Sequence, residues 1–156
     1  MKCELAMQAL DSFGKLRIRA FGVSMLPTIL PGDVLRVVKA KLTEIVPGDV
    51  VVCVREDSPL IHRAIQVDFA SSQLVTRGDS MGQPDPHSVL LGKVVELERN
   101  GRAQVVSRRI GLLGRIVGIV LCHSAKMRSL YLRLVAFKVG SEYPAECPSA
   151  ADGAYF

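Results

Sequence analysis

The chain has 156 residues, of which 49% are hydrophobic and 22% are charged, and its formal net charge is +5. This composition excludes a wholly disordered protein and suits one globular unit with its own core. Only 5% of the residues are aromatic and tryptophan is absent, so the dominance of valine, isoleucine and leucine favours a mainly β fold.

The amino-terminal segment, residues 1–15, is predicted to be a short helix or arm. Apolar and polar residues recur at helical spacing from Cys3 to Phe13, and Gly14 is a stop signal. The segment lacks the long apolar core of a secretory signal or a membrane span. We therefore expect a protein that is cytoplasmic or peripherally attached to a membrane.

Residues 16–107 have the pattern of a β domain, in which short apolar runs alternate with turn signals. Two Pro-Gly-Asp corners, at 31–33 and 47–49, and an Asn-Gly hairpin turn at 100–101 separate several of these runs. The run at 50–55 is expected to be buried on both faces. The predicted strands cover residues 16–21, 34–38, 50–55, 60–67, 74–77, 90–98 and 102–106.

Residues 108–139 are predicted to be an apolar and basic helical segment, followed by a flexible tail at 140–156. Nine Lys or Arg and no Asp or Glu occur from Arg99 to Ser141, so the other eleven basic residues face fifteen acidic ones, a net charge of −4. A carboxy-terminal amphipathic helix is expected at 125–139. Its predicted apolar stripe consists of Met127, Leu130, Tyr131, Leu134 and Phe137.

The basic segment leaves two interpretations open. In one, residues 110–139 lie on an anionic membrane surface through their apolar and basic side chains. In the other, an ordinary surface helix packs on the sheet and turns its basic face to solvent. A nucleic acid partner is not expected, because aromatic side chains that stack on bases are scarce.

The four cysteines indicate no metal site, cofactor or redox centre. Cys3, Cys53, Cys122 and Cys147 are scattered, and no pair has the spacing of a zinc site or a disulfide framework. Cys53 lies within an apolar run and is predicted to be a small core residue. A reducing, cytosolic location is therefore permitted.

The stretch from Phe21 to Asp33 is the strongest functional signal in the sequence. Two prolines bracket Thr28 and prevent a regular helix, and a Pro-Gly-Asp turn leads into the next strand. We therefore expect a rigid and exposed backbone around Ser24, as a nucleophile requires. The alternative is a proline-rich turn with a capping serine, and the length of the pattern argues against it.

This stretch resembles the serine motif of the type I signal peptidases, Ser-Met-x-Pro-Thr-(Ile/Leu)-x-Pro-Gly-Asp, which Ser24 to Asp33 fill at every fixed position. The sequence Ile-His-Arg-Ala at 61–64 is similar to the base motif of the histidine subtype, found in the endoplasmic reticulum and in archaea. Gly-Asp-Ser at 78–80 is similar to the later Gly-Asp motif. The resemblance covers about residues 19–98 and implies the β fold, with several short strands, of signal peptidases and SOS-type repressors.

The resemblance implies a serine endopeptidase that cleaves an extended signal or leader peptide. Ser24 is the candidate nucleophile, His62 the candidate base and Asp85 the candidate orienter, with Asp79 as the second choice. Strand alternation places His62 on the more polar face of its strand. A histidine is neutral near pH 7 without strong desolvation, whereas a lysine base is not. The residues predicted to be surface charges or structural are Lys39, Lys41, Lys93, His87 and His123.

The residues expected to support the oxyanion are Gly22, Met25 and Arg63. Signal peptidases commonly carry a serine two positions before the nucleophile, where this chain has Gly22. Mitochondrial inner-membrane peptidases and SOS-type repressors are similar to this chain in that glycine. The backbone N–H of Ser24 then needs a second donor, because the loss of one oxyanion donor lowers turnover about 10²–10³-fold.

Two other functions stay open on the same fold. A self-cleaving regulator of the SOS-repressor type needs a cleavable segment, and the 23 residues before Ser24 leave no room for a DNA-binding domain. A non-catalytic peptide-binding module keeps the groove without the chemistry. A serine-directed probe distinguishes both the peptidase and the regulator from the binding module.

Overall fold

A computed structural model of the protein describes residues 2–55, 58–85 and 88–139. The predicted flexible tail and His87 lie outside these residues. The elements in chain order are α1 (Lys2–Phe13), β1 (Lys15–Arg19), β2 (Val34–Lys39), a 3₁₀ turn (Leu42–Glu44), β3 (Val50–Arg55), β4 (Ser58–Asp68), β5 (Gln73–Arg77), β6 (Val89–Arg99), β7 (Arg102–Val105), α2 (Leu112–His123) and α3 (Ala125–Val139).

The strands form one curled antiparallel sheet in the order β1-β2-β6-β3-β4-β5, and β7 pairs with β6. The prediction of a mainly β fold is therefore confirmed, and each predicted strand is present with its ends within two residues of the expected positions. The β6–β7 hairpin turns at Asn100 and Gly101, whose φ angles are 53° and 72°. These two residue types adopt that left-handed conformation most readily.

The two Pro-Gly-Asp corners have the same construction. Gly32 and Gly48 have φ angles of 92° and 100°, which glycine adopts without strain. The carboxylates of Asp33 and Asp49 each accept the backbone N–H of the residue three positions earlier, at 2.7 and 3.1 Å. The repeated sequence therefore encodes one turn that the fold uses twice.

Basic residues close both corners. Arg99 donates two hydrogen bonds to Asp33, at 2.8 and 2.6 Å, and Arg108 donates one to Asp49 at 2.7 Å. Lys93 Nζ also lies 2.7 Å from Asp49, and its side chain is only 20% exposed. Burial raises the pKa of Asp49, but hydrogen bonds from Lys93, the backbone and Arg108 hold that pKa below its usual value. The prediction that Lys93 is a surface charge is therefore wrong.

Two apolar clusters lie on the two faces of β3. Val50 and Val52 belong to the first cluster, and Val51 and Cys53 belong to the second, as alternation along a strand requires. The prediction of a strand buried on both faces is thus confirmed as far as Cys53. Burial, with a smaller contribution from the charge of Asp85, raises the pKa of the Cys53 thiol to about 12.

The face of His62 differs from the prediction. His62 pairs with Val51, and Ala64 packs in the same second cluster, so this face of β4 is buried. The pairing of β4 with β5 shifts register between Ala64 and Gln66, and Ile65 is exposed. The prediction of a more polar face for His62 is wrong, because the curled sheet is covered on both sides and a bulge interrupts the alternation.

Two helices, not one amphipathic helix, follow the sheet. Leu121 of α2 packs with Leu26 and Leu30 of the serine stretch in a third apolar cluster, and Tyr131 and Val135 of α3 pack against it. A Cβ on Gly118 would lie 2.6 Å from Asp79 O, so α2 touches the Gly-Asp loop backbone. The helix pair therefore covers the outer side of the serine stretch.

The packed face of α3 also differs from the predicted stripe. Tyr131 does pack on the cluster, together with Leu132, but Met127, Leu130 and Leu134 are exposed. The side chain of the fifth predicted member, Phe137, lies outside the described part of the chain. In the described part, no helix combines the length and the apolar character that crossing a membrane requires.

Candidate active site

Ser24 lies in the irregular segment between β1 and β2. Ser24 itself is half-buried, and the residues after it, Met25 and Leu26, are buried in the first and third apolar clusters. The expectation of an exposed backbone is therefore wrong for most of this stretch. Its apolar side chains anchor the segment in two clusters, one on the sheet and one beneath the helices α2 and α3, and this packing fixes the position of the serine.

The Gly-Asp loop after β5 binds the carbonyl group of Ser24. The N–H of Ser80 donates to Ser24 O at 2.9 Å, and the Ser80 hydroxyl donates to Val23 O at 2.7 Å with Ser24 O as a second, longer acceptor at 3.1 Å. A Cβ on Gly78 would lie 2.6 Å from Ser24 O and 3.0 Å from Ser24 Cβ. Only glycine permits this approach, so the first residue of the Gly-Asp motif lets the loop and the serine segment meet.

His62 on β4 and Asp85 after β5 form a buried pair. His62 Nδ1 lies 2.5 Å from Asp85 Oδ2, and the two side chains are 10% and 11% exposed. A backbone bridge between Thr76 and Asp85, with N···O distances of 3.2 and 2.7 Å, holds the aspartate against β5. Nε2 of the ring has no hydrogen-bond partner among the described residues. The carboxylate thus selects the tautomer with Nδ1–H and leaves Nε2 as the basic nitrogen.

The charge state of His62 follows from this environment. Burial lowers the pKa of His62 below 6.5, and the charge and hydrogen bond of Asp85 raise it without reversing the shift. Arg55 Nη1 donates to the other oxygen of Asp85, and its positive charge lowers the pKa of His62 further. The imidazole is therefore neutral at pH 7, the form that a general base requires.

Asp79 has a different set of partners from Asp85. Arg63 Nε and Nη2 donate to its two carboxylate oxygens, both at 2.8 Å, and Thr28 Oγ1 donates at 2.5 Å. Arg63 Nη1 also donates to Gly48 O and Ser107 O, at 2.7 and 2.9 Å. Asp79 therefore ties the serine stretch to β4 and does not orient the histidine.

We expect Arg63→Met to lower the free energy of unfolding by about 3–5 kcal/mol, because it leaves a buried carboxylate unpaired. The side chains of Arg63 and Asp79 are 8% and 2% exposed. Arg36→Met is the matched control, since the Arg36–Glu96 pair is 48% and 32% exposed and such a pair contributes about 0–1 kcal/mol. Urea unfolding measures both variants, and equal losses would contradict the structural role of Arg63.

The three supporting residues contribute in different ways. Gly22 has a φ of 83°, where a serine, the residue common in signal peptidases, would be strained. Met25 contributes packing, with 4% of its surface exposed. The backbone N–H groups of Ser24 and Met25 make no hydrogen bond among the described residues. In the described part of the chain neither group is taken by another acceptor, as an oxyanion donor requires, whereas Arg63 acts through its ion pair.

Most of the predicted site residues contact one another, but Ser24 and His62 do not form the expected hydrogen bond. His62 contacts Asp85, Asp79 contacts Arg63, and Ser24 contacts the Gly-Asp loop. Within the described part of the chain, no hydrogen bond joins Ser24 Oγ to the His62 ring. The serine segment and the histidine strand are connected through the loop that both contact.

The other candidate bases lie in separate environments. Lys39 Nζ is 2.6 Å from Asp11, Lys41 is exposed, and Lys93 pairs with Asp49. Among the described residues, none of these lysines contacts Ser24. His123 Nδ1 lies 2.9 Å from Ile119 O, as expected for a structural histidine at a helix end. The residues that the sequence analysis missed are Thr28, Arg55 and Ser80.

Two of the missed residues carried a local signal. Thr28 is a fixed position of the serine motif, and Ser80 follows the Gly-Asp pair directly. Arg55 carried no such signal, since its contact with Asp85 depends on how β3 and β4 pair.

A scan against protein-family models finds no match to this chain, and a search of curated proteins finds none either. Motif and geometry are therefore the basis for assigning the site.

Proposed function

We propose that the protein is a serine endopeptidase in which Ser24 attacks the scissile carbonyl of an extended signal or leader peptide. His62 Nε2 takes the hydroxyl proton and returns it to the leaving amine, and Asp85 holds the ring through Nδ1. The observation that carries this proposal is the buried 2.5 Å contact between His62 Nδ1 and Asp85 Oδ2. It occurs in a chain whose serine stretch matches a peptidase motif at every fixed position.

The electrostatics of the pair support a catalytic role. A histidine with a lowered pKa is neutral at pH 7 and accepts a proton without prior deprotonation. Asp85 then stabilises the imidazolium that forms when Ser24 attacks. The mechanism requires the hydrogen bond between Ser24 and His62 to form in the Michaelis complex, where bonds of this kind tighten.

The proposal is tested with a serine-directed phosphonate probe and intact-mass measurement of the full chain. We expect one adduct, located at Ser24 by peptide mapping, because only an activated hydroxyl reacts at a useful rate. Ser24→Ala is expected to give no adduct. The matched control is Ser71→Ala, since the Ser71 hydroxyl is exposed and bonded to Asp68 at 2.7 Å. This variant should react as the wild type does.

A folded wild-type protein without an adduct would overturn the proposal and favour the non-catalytic peptide-binding module. Loss of amino-terminal mass on incubation, present in the wild type and absent in Ser24→Ala, would instead identify the self-cleaving regulator. Cleavage of added peptides with the chain itself intact is the result that the endopeptidase predicts.

A further inference from the structure

The helices α2 and α3 expose a broad apolar face that the proposed active site does not use. On α2 it consists of Leu112, Leu113, Ile116, Ile119 and Val120, of which Leu113 is 79% exposed. Their spacing places them on one side of the helix. Patches of this kind on a protein surface indicate an interaction site and are rare elsewhere.

The opposite side of α2 is already occupied. Val117 and Leu121 pack on the third apolar cluster, and Gly118 lies against the backbone of Asp79. The helix is therefore apolar on both sides, and packing within the protein accounts for only one of them. The next helix, α3, also exposes apolar residues, Met127, Leu130 and Leu134, whose spacing places them on one side of that helix.

Basic side chains border this apolar face. Arg115 lies on α2, and Lys126 and Arg133 lie on α3; all three are exposed and are in no ion pair among the described residues. The sequence from Arg99 to Ser141 contains no Asp or Glu. The face therefore combines apolar side chains with uncompensated positive charge.

We infer that this outward face of α2 and α3 binds the surface of an anionic phospholipid bilayer. Its apolar side chains enter the boundary between headgroups and acyl chains, and its basic side chains contact the headgroups. The 12 residues of α2 span about 18 Å, less than the hydrocarbon thickness of about 30 Å. The helix therefore lies along the surface.

Charge favours a bilayer over a second copy of the chain. A symmetric dimer through this face would bring Arg115, Lys126 and Arg133 of both copies together without an acidic partner. An anionic bilayer supplies both an apolar layer and negative charge, so it complements both properties of the face. One partner, an anionic bilayer, therefore accounts for both the apolar and the basic side chains of this face.

The inference uses no residue of the Ser24 site, and so it stands or falls separately from the proposed function. One consequence does rest on that function. Because α2 packs on the serine stretch and on the Gly-Asp loop, docking would hold the active site close to the lipid surface. Peptides attached to a membrane would then be favoured substrates.

The test is co-sedimentation of the full chain with vesicles that contain about one-third phosphatidylglycerol in phosphatidylcholine. The Ser24→Ala variant is used so that peptidase activity does not affect the measurement. We expect binding to these vesicles and much weaker binding to phosphatidylcholine alone. Raising the salt to about 1 M, where the Debye length is about 3 Å, should weaken binding to the anionic vesicles.

Two sets of variants separate the apolar from the basic contribution. Leu113→Gln with Ile116→Gln is expected to weaken binding at least about tenfold, since each apolar side chain loses its transfer from water. Removing the charges of Arg115, Lys126 and Arg133 together is expected to weaken it on the order of 100-fold. The controls are Val105→Gln, 83% exposed on β7, and Arg102→Gln.

Binding that falls in both sets and persists in both controls supports the inference. The absence of binding to anionic vesicles by the folded parent protein would overturn it. Self-association that Leu113→Gln abolishes, without vesicle binding, would overturn it in favour of a second copy. Equal binding to neutral and anionic vesicles would also contradict it, because the basic residues would then contribute nothing.

Discussion

Ser24→Ala and His62→Ala are each expected to lower peptide cleavage by about 10⁶-fold while the protein stays folded. In the proposed mechanism Ser24 supplies the attacking oxygen and His62 accepts its proton, and no other described residue of the site can take either role. Losses of this size are non-additive, and the double variant should be no slower than either single one. Cleavage is measured by mass spectrometry on a mixed peptide library, which reveals new termini whatever sequence the enzyme prefers.

The control for the histidine is His123→Ala. Among the described residues His123 contacts only the carbonyl of Ile119 within α2, so its removal should leave the rate unchanged. Circular dichroism and thermal unfolding establish that the His62 variant is folded, since His62 is buried and its replacement leaves a cavity. Retained cleavage in a folded Ser24→Ala or His62→Ala protein would refute the assignment of the nucleophile or the base.

The strands, the two corners and the β6–β7 hairpin could be predicted because their signals are local. A Pro-Gly-Asp or Asn-Gly turn acts through the φ angles of its own residues, and Gly32, Gly48 and Gly101 all have positive φ. The serine segment could be recognised for the same reason, as its motif is contiguous. Which of its residues are buried depends instead on the clusters that other elements build around it.

The environment of His62 could not be predicted from its strand. Alternation indicates which residues share a face, and the rest of the fold decides which face is covered. Here both faces of the sheet are covered near His62. The histidine lies opposite Val51, which belongs to the second cluster. The bridge between Thr76 and Asp85 holds the carboxylate against β5, and only the resemblance to the histidine subtype anticipated that Asp85 contacts His62.

The helical segment shows a second limit of sequence patterns. Both sides of α3 carry apolar residues, so spacing alone does not select the side that packs. Tyr131 and Val135 meet the third cluster, while Leu130 and Leu134 remain exposed. The excess of positive charge has two origins: Arg99 closes a corner of the β domain, whereas Arg115, Lys126 and Arg133 are in no ion pair with a described residue.

Asp85→Asn is expected to lower the plateau rate of cleavage by about 10⁴-fold. The amide cannot fix the Nδ1–H tautomer of His62, so Nε2 is no longer reliably the basic nitrogen. The charge and the hydrogen bond of Asp85 both raise the pKa of His62, and without them the pKa falls further. The acid limb of the pH–rate profile, which reports protonation of the base, should therefore move to lower pH.

Arg55→Ala is the companion variant, and its shift should have the opposite sign. The positive charge of Arg55 lowers the pKa of His62, so its removal raises that pKa and moves the acid limb to higher pH. The plateau rate should fall far less than in Asp85→Asn, because Asp85 and its contact with the ring remain. Arg55→Lys keeps the charge and should restore most of the profile. The acid limbs of Asp85→Asn and Arg55→Ala should move in opposite directions. Movement in the same direction would show that the charges of Asp85 and Arg55 do not set the protonation of His62.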